Sequence, residues 1–371
     1  GLPRFLGGFL DLVFDRGDGR LLFDPSIDAI RVIRQLTLMF GKILLPCTDV
    51  RERKAIDAYI QCEQEVREAD RQRNLHHYDD FSRVSKLLFS ELFARLDKAV
   101  YDDDVMPKHG PGATADRLVG NDKWRQREWT ERLDSIFQAG EYLLPNWRYW
   151  RELESIDFLE PGRERPVRVV TVPKTLKTPR IIAIEPTCMQ YMQQALYLRF
   201  RDFHAEDRVL SRMIGFDDQE VNQVLAREAS RKGHLATLDL SEASDRVSNQ
   251  LVRILFNRVP HLAEAVDATR SRKADVPGHG VIRLAKFASM GSAMCFPIEA
   301  MVFLTVIFVG IERSLNRPLA RRDIESLRDQ VRVYGDDMIV PVDYVHSVVE
   351  ALVTFGFKVN TDKSYWTGKF R

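Results

Sequence analysis

The stretch Val331–Val342, reading VRVYGDDMIVPV, constrains the fold more than any other part of the chain. Two runs rich in β-branched residues flank a Gly-Asp-Asp tip, the pattern of a strand, a tight turn and a returning strand. Gly335 suits the turn because a side chain there would clash where the backbone reverses. Asp336 and Asp337 are then adjacent and project from a buried hairpin. Neighbouring carboxylates repel, so both stay ionised only beside a cation, and a hard divalent ion with oxygen ligands is the usual one.

A chain of 371 residues has room for two or three structural regions and a large core. With 44% hydrophobic and 29% charged residues it has the composition of an ordinary soluble globular protein, and a formal charge of +1 says little about partners. Cys47, Cys62, Cys188 and Cys295 lie far apart with no CxxC pair. That pattern argues against a zinc site or a disulfide framework and suits a reducing cytosol. The opening GLPRFLGGFLDLVF lacks the basic and apolar regions of a signal peptide. Residues 290–310 are apolar over a membrane-length stretch, but Pro297 and Glu299 interrupt them, so a buried helix is expected. The missing initiator Met and the ending GKFR suggest a piece of a longer protein.

Residues 1–165 read as mainly helical. Asp24 and Pro25 suit an N-cap and first helical position before Ile27, Ile30 and Ile33. Residues 50–73 form a second, densely charged helix, and Phe81, Val84, Leu88 and Leu92 give a third its apolar face. Arg16-Gly17-Asp18 reads as a Gly-rich turn, Asp102–Asp104 as a solvated loop, and His76 and His77 as surface residues without a third metal ligand. The loop KHGPGATADR offers glycines for close backbone approach but lacks the GK[ST] ending of a nucleotide P-loop.

From Val167 the texture changes to strands. VRVVTVPKTLKTPRIIAIEP gathers Arg168, Lys174, Lys177 and Arg180 before the first acid, Glu185, with Pro173 and Pro179 bracketing a stiff connection. Read alone, it fits either a polyanion-binding loop or a solvated hairpin. Leu235–Leu240 is a short buried strand in which Asp239 is out of place unless paired or metal-bound, with an N-cap or salt bridge as the plainer alternative. Asp245 follows a Ser-rich turn. Ser289, Gly291, Ser292 and Ala293 precede an apolar helix and form a loop that a ligand could approach closely. Beyond the hairpin, Tyr344–Phe355 reads as a helix, residues 357–359 as a last strand, and NTDKSYW supplies Lys363.

In this order, VPKTLKTPRIIAIEP, TLDLSEASDRVS, SMGSAMCFPIE, VYGDDMIV and FGFKVNTDKSYWTGKFR resemble the motifs of viral RNA-dependent RNA polymerases. More narrowly, they are similar to the replicase catalytic subunit of levivirus-type single-stranded RNA bacteriophages, and KHGPGATAD extends the likeness into the first half. The resemblance implies an α/β (α+β) right-hand polymerase with an antiparallel palm sheet. Residues 1–165 would form a helical region and part of the fingers, 166–232 fingers with a basic motif for the incoming nucleotide, and 233–371 a palm that stops before the thumb clamping product duplex.

The same resemblance implies the site. Asp239 and Asp336, with Asp337 beside them, would hold two Mg²⁺ ions, Mn²⁺ being able to substitute, for template-directed nucleotidyl transfer to an RNA 3′-hydroxyl. Lys174, Lys177 and Arg180 would contact the triphosphate, and Lys363 would protonate pyrophosphate. Asp245 would read the ribose 2′-hydroxyl, with Ser289, Gly291 and Ser292 supporting sugar and template. Two departures are visible. Glu299 stands where many other RNA polymerases have Asn, and the Asp239 to Asp245 spacing is one residue longer than usual. The implied partners are RNA template and product, NTPs, host elongation factors Tu and Ts and a ribosomal protein, in the cytoplasm of an infected bacterium and with no membrane. A catalytically idle RNA-binding fragment is the competing reading, and a reverse transcriptase a more distant one.

Overall fold

Apolar periodicity changes from helical to alternating near residue 167, where the first strand longer than three residues begins, although helices continue beyond it. The computed structural model describes residues 2–40, 46–174 and 178–367. They fall into two units, one of Gly1–Asp57 with Thr171–Ile181 and the other of Ala58–Val170 with Ile182–Arg371. In the first unit, helix Ile27–Met39 is capped by Ser26, whose hydroxyl accepts from the Ala29 amide at 3.2 Å. The expected cap at Asp24 and Pro25 is thereby corrected. A capping oxygen must reach the second or third amide of the helix, and Ser26 is the residue immediately before it.

Among the described residues, ten strands build three small sheets. Strands β1 (Glu128–Thr130) and β2 (Asp157–Leu159) pair in parallel. Strands β3 (Val167–Val172), β4 (Arg180–Ile184), β6 (Lys273–Val276) and β7 (Gly280–Arg283) lie in the order β4-β3-β6-β7. Strands β5 (Leu235–Ser241), β8 (Arg332–Tyr334), β9 (Asp337–Pro341) and β10 (Lys358–Val359) lie in the order β10-β5-β9-β8, and each neighbouring pair is antiparallel.

This last sheet positions the acidic residues. Along β5, Ala236, Leu238 and Leu240 turn into the main core, as do Met338 and Val340 of β9. On the opposite face Leu235 and Ile339 pack with Ala229 of helix Glu220–Lys232. A period of two therefore assigns Asp239 and Asp337 to the face away from the main core. The expected strand, hairpin and following helix are present, the helix spanning Val345–Thr354.

The core is centred on helix Cys295–Leu315, which is apolar on all sides and buried over 16 residues. Its length and hydropathy would allow it to cross a membrane, but 83% of its most apolar window is buried within the protein. It packs against helices Val345–Thr354, Leu75–Tyr101 and Asn249–Leu255. Phe81, Val84, Leu88 and Leu92 of Leu75–Tyr101 face this core, as their spacing predicts.

Gly310 fixes how closely two of these helices approach. A Cβ built there would stand 2.6 Å from the Val348 Cα and 2.8 Å from the Ser347 carbonyl oxygen. Backbone atoms cannot swing aside as a side-chain tip can. Gly310→Ala gains about 1 kcal/mol of helix propensity, but forcing the helices apart costs about 1–3 kcal/mol or more. The substitution is expected to lower the unfolding midpoint in denaturant, and an unchanged or raised midpoint would contradict this packing.

Candidate active site

The hairpin joining β8 and β9 turns through Gly335 and Asp336. Gly335 adopts φ 59°, and a Cβ there would meet the Phe296 ring at 2.9 Å. Positive φ at the first of two loop residues is the pattern of a II′ hairpin, which glycine adopts without strain. Asp336 is left at the exposed tip and Asp337 becomes the first residue of β9. In the antiparallel register Asp337 stands opposite Asp239. Directly opposed residues share a face, with Cβ atoms typically about 5 Å apart.

Each carboxylate is held by an amide side chain, Gln219 from outside the quoted motifs and Asn360 from within FGFKVNTDKSYWTGKFR. Gln219 Nε2 donates to Asp337 Oδ2 at 3.0 Å. Asn360 Nδ2 donates to Asp239 Oδ2 at 2.8 Å, while the Asn360 amide donates to the Asp239 carbonyl at 2.9 Å. The Asp239 amide donates to Ser364 Oγ at 3.0 Å. Lys363 lies in the same turn, two-thirds exposed, with Nζ 3.6 Å from Asp239 Oδ2. The structure therefore brings Lys363 beside Asp239. Burial, followed by the charge of Asp336, raises the Asp337 pKa above the usual carboxylate range, and Asp239 adds to the rise against the Gln219 hydrogen bond.

The donors present fit a hard divalent cation. They are carboxylate oxygens only, and Asp337 carries electrostatic strain that a cation would relieve. Among the described residues, no group of three or more His, Cys, Asp or Glu side chains is gathered closely enough to hold a metal ion by itself. Glu299 is a buried acid beside this group. It is 7% exposed, its Oε2 has no hydrogen-bond partner, and its pKa is raised well above normal by burial first and then by Asp336 and Asp245.

Asp245 belongs to a second polar group. Its Oδ1 accepts from Lys286 Nζ at 2.9 Å and from Ser289 Oγ at 3.0 Å. Ser292 donates to Gln193 Oε1 at 3.1 Å, the same oxygen that takes the Ala293 amide. Gly291 has φ 133°, and a Cβ there would fall 2.0 Å from the Ala183 carbonyl oxygen of β4. The glycine thus permits the loop to cross β4 at backbone contact. Arg270, buried, donates to the carbonyls of Leu284, Lys286 and Phe287 and holds the other side of the loop.

Lys174 and Arg180 are exposed and belong to the first unit, and Lys177 lies outside the described residues. The carbonyls of Gly110 and Gly112 in KHGPGATADR accept from the buried Lys123, outside that loop, at 2.6 and 2.5 Å. His109 stacks on Tyr191. Those glycine carbonyls are thus occupied by an internal cation. Asp102 pairs with Lys98 and Asp104 with Arg199, as a solvated acidic loop would.

Glu65 ties helix Asp49–Gln72 to this region, pairing with Arg246 at 2.5 Å and with Lys358 at 2.7 Å. Hydrogen bonds from Lys358 and Arg246 lower its pKa to about 2. A depressed carboxylate stabilises the fold fully above its unfolded pKa near 4.5 and loses that contribution as pH falls toward 2. Glu65→Gln is therefore expected to flatten the stability profile between pH 4.5 and 2 relative to wild type, as followed by denaturant titration. An identical profile would contradict the pairing.

Comparison with known proteins adds an independent line. The family model described as RNA replicase, beta-chain, matches residues 162–371. The chain is 36% identical over 205 residues to the RNA-directed RNA polymerase subunit beta of Qbeta virus (strain MX1), a match covering 55% of this chain and 32% of that protein. It is 29% identical over 334 residues to the RNA-directed RNA polymerase subunit beta of Enterobacteria phage SP, covering 86% and 54% respectively. The chain thus spans about half the length, or less, of these curated relatives. A solved structure titled as the in situ RNA-dependent RNA polymerase of BmCPV at elongation state aligns with 77% of this chain and 27% of its own, at 13% identity and a TM-score of 0.42.

Proposed function

The chain belongs to the RNA replicase beta-chain family, and from that premise we propose that it contributes the catalytic centre of an RNA-dependent RNA polymerase. The observation that carries this reading is the opposition of Asp239 and Asp337 across β5 and β9, with Asp336 at the adjoining turn. Mixed helix and sheet with an antiparallel four-stranded sheet at the site accords with the palm of a right-hand polymerase. The chemistry is template-directed transfer of a nucleotidyl group from an NTP to an RNA 3′-hydroxyl.

Asp239, Asp336 and Asp337 would hold the divalent ions, two Mg²⁺ by the family resemblance, with Mn²⁺ an alternative. Bound there, such ions lower the pKa of the attacking hydroxyl and neutralise charge building on the phosphates. The protein's own part is positional. Gln219 and Asn360 orient the two opposed carboxylates through single amide hydrogen bonds. Lys363, exposed and 3.6 Å from Asp239, is free to reach departing pyrophosphate as a proton donor. Lys174, Lys177 and Arg180 are proposed to meet the triphosphate, and Asp245 the ribose, with Ser289, Gly291 and Ser292 shaping the loop beside it.

Residues 1–165 and 166–232 are assigned to the helical region and fingers, and 233–371 to the palm. The work would take place in the cytoplasm of an infected bacterium, with elongation factors Tu and Ts and a ribosomal protein as partners by resemblance.

Primed extension of an RNA template with Mg²⁺ and four ribonucleotides tests the reading. Asp336→Ala is expected to lower incorporation by at least about a hundredfold, and UTP should be used in preference to dTTP. Equal incorporation by wild type and variant would sink the assignment of the carboxylates, and a preference for dTTP would favour a reverse transcriptase.

A further inference from the structure

A lysine buried to 0% exposure is unusual unless several partners share its charge. Lys286 has three such contacts. Its Nζ lies 2.9 Å from Asp245 Oδ1, 3.3 Å from Glu63 Oε1 and 3.5 Å from the centre of the Tyr59 ring. The Tyr59 hydroxyl in turn is 3.1 Å from Ser289 Oγ, which donates to Asp245 Oδ1. Glu63 closes the far side by accepting the Ala285 amide at 2.6 Å through Oε2. Cys62 Sγ also reaches the Asp245 carbonyl at 3.5 Å. Three consecutive contacts therefore come from one face of helix Asp49–Gln72, which precedes the family-matched region 162–371.

The geometry has a directional consequence. Both side-chain hydrogen bonds described for Asp245 fall on Oδ1. The ammonium and the Ser289 hydroxyl fix the carboxylate plane and leave Oδ2 as an acceptor. Burial would discharge Lys286, but the adjacent Asp245 and Glu63 carboxylates outweigh it and hold the lysine pKa above its ordinary value. A fixed, ionised carboxylate accepts hydrogen bonds and donates none. It can therefore distinguish a sugar carrying a hydroxyl from one carrying only hydrogen, because the latter leaves the acceptor unmatched.

We infer that Lys286, with Tyr59 and Glu63, is a positioning cluster that aims Asp245 at the nucleotide sugar, so that helix Asp49–Gln72 forms part of the selectivity for ribonucleotides over deoxyribonucleotides. This rests on the polymerase reading and extends it to residues that no motif supplied. None of the three touches the substrate; they act through Asp245 and Ser289.

Calorimetric titration of the full chain with UTP and with 2′-deoxy-UTP, in Mg²⁺ buffer, separates the possibilities. Wild type is expected to bind UTP more tightly by roughly tenfold or more, the scale of a hydrogen bond to a charged group. Lys286→Met should bring the two affinities together chiefly by weakening UTP. Lys286→Met also strands Glu63 and Asp245, so its thermal melting is followed in parallel, and Tyr59→Phe serves as the second variant. Tyr59→Phe keeps the ring over the ammonium and removes only the hydroxyl beside Ser289; it should lower the UTP preference several-fold with an unchanged melting curve. A folded Tyr59→Phe or Lys286→Met protein with the wild-type preference overturns the inference. Wild type that binds neither nucleotide overturns the polymerase reading and this inference with it, whereas wild type that binds both equally overturns the inference alone.

Discussion

Two carboxylates opposed on neighbouring strands form a repulsive pair, and much of the second unit serves to keep them there. Asp239 and Asp337 could separate if β5 and β9 slipped in register, but a slip of one residue would turn Leu238, Leu240, Met338 and Val340 out of the core. Burial of those four side chains contributes about 1.5–3 kcal/mol each, well above the cost of holding two partly solvated like charges about 5 Å apart at an effective dielectric near 20, about 3 kcal/mol. The hydrophobic alternation of two strands thus enforces an electrostatic arrangement that the carboxylates would not choose. Gln219 and Asn360 then orient the side chains without adding charge.

A similar division holds around Asp245. The loop 284–294 touches β4 at Gly291, hangs from Arg270 by its carbonyls and meets helix Asp49–Gln72 through Tyr59 and Glu63. The same helix continues along the molecule. Asp70 accepts from Ser248 Oγ at 2.6 Å and pairs with Arg73, which donates to the Phe355 carbonyl at 3.0 Å. Its dense charge, which reads in the sequence as solvated surface, is in part a set of inward polar contacts to the segments carrying the site.

What could be read in advance follows the range of the interactions. The GDD hairpin, the strand ending near Asp239 and the buried helix from Cys295 announce themselves through local periods and a glycine, and their spans agree with the structure to within a few residues. Lys363 was legible only through resemblance, yet the turn brings it beside Asp239. Lys286, Tyr59, Glu63 and Gln219 carry no local signature, and Asn360, though inside a quoted motif, shows nothing there of its bond to Asp239. Tyr59 meets Ser289 across 230 residues and Asn360 meets Asp239 across 121, distances at which a single sequence offers no pattern to count. One clue was available for Lys286. It stands between Ala285 and Phe287 just ahead of a small-residue loop, an apolar setting in which a lysine needs a partner.

Those long separations also set an order of assembly. Tyr59 and Asn360, which flank the two halves of the site, lie about 300 residues apart, so at roughly 5–20 residues per second they leave the ribosome about 15–60 s apart. Until the turn at 360–364 arrives, β5 lacks its β10 neighbour and Asp239 lacks its amide partner. The carboxylate centre is therefore among the last features of these residues to close during synthesis, and a nascent chain long enough to display the GDD hairpin still lacks the segment that orients the opposing aspartate.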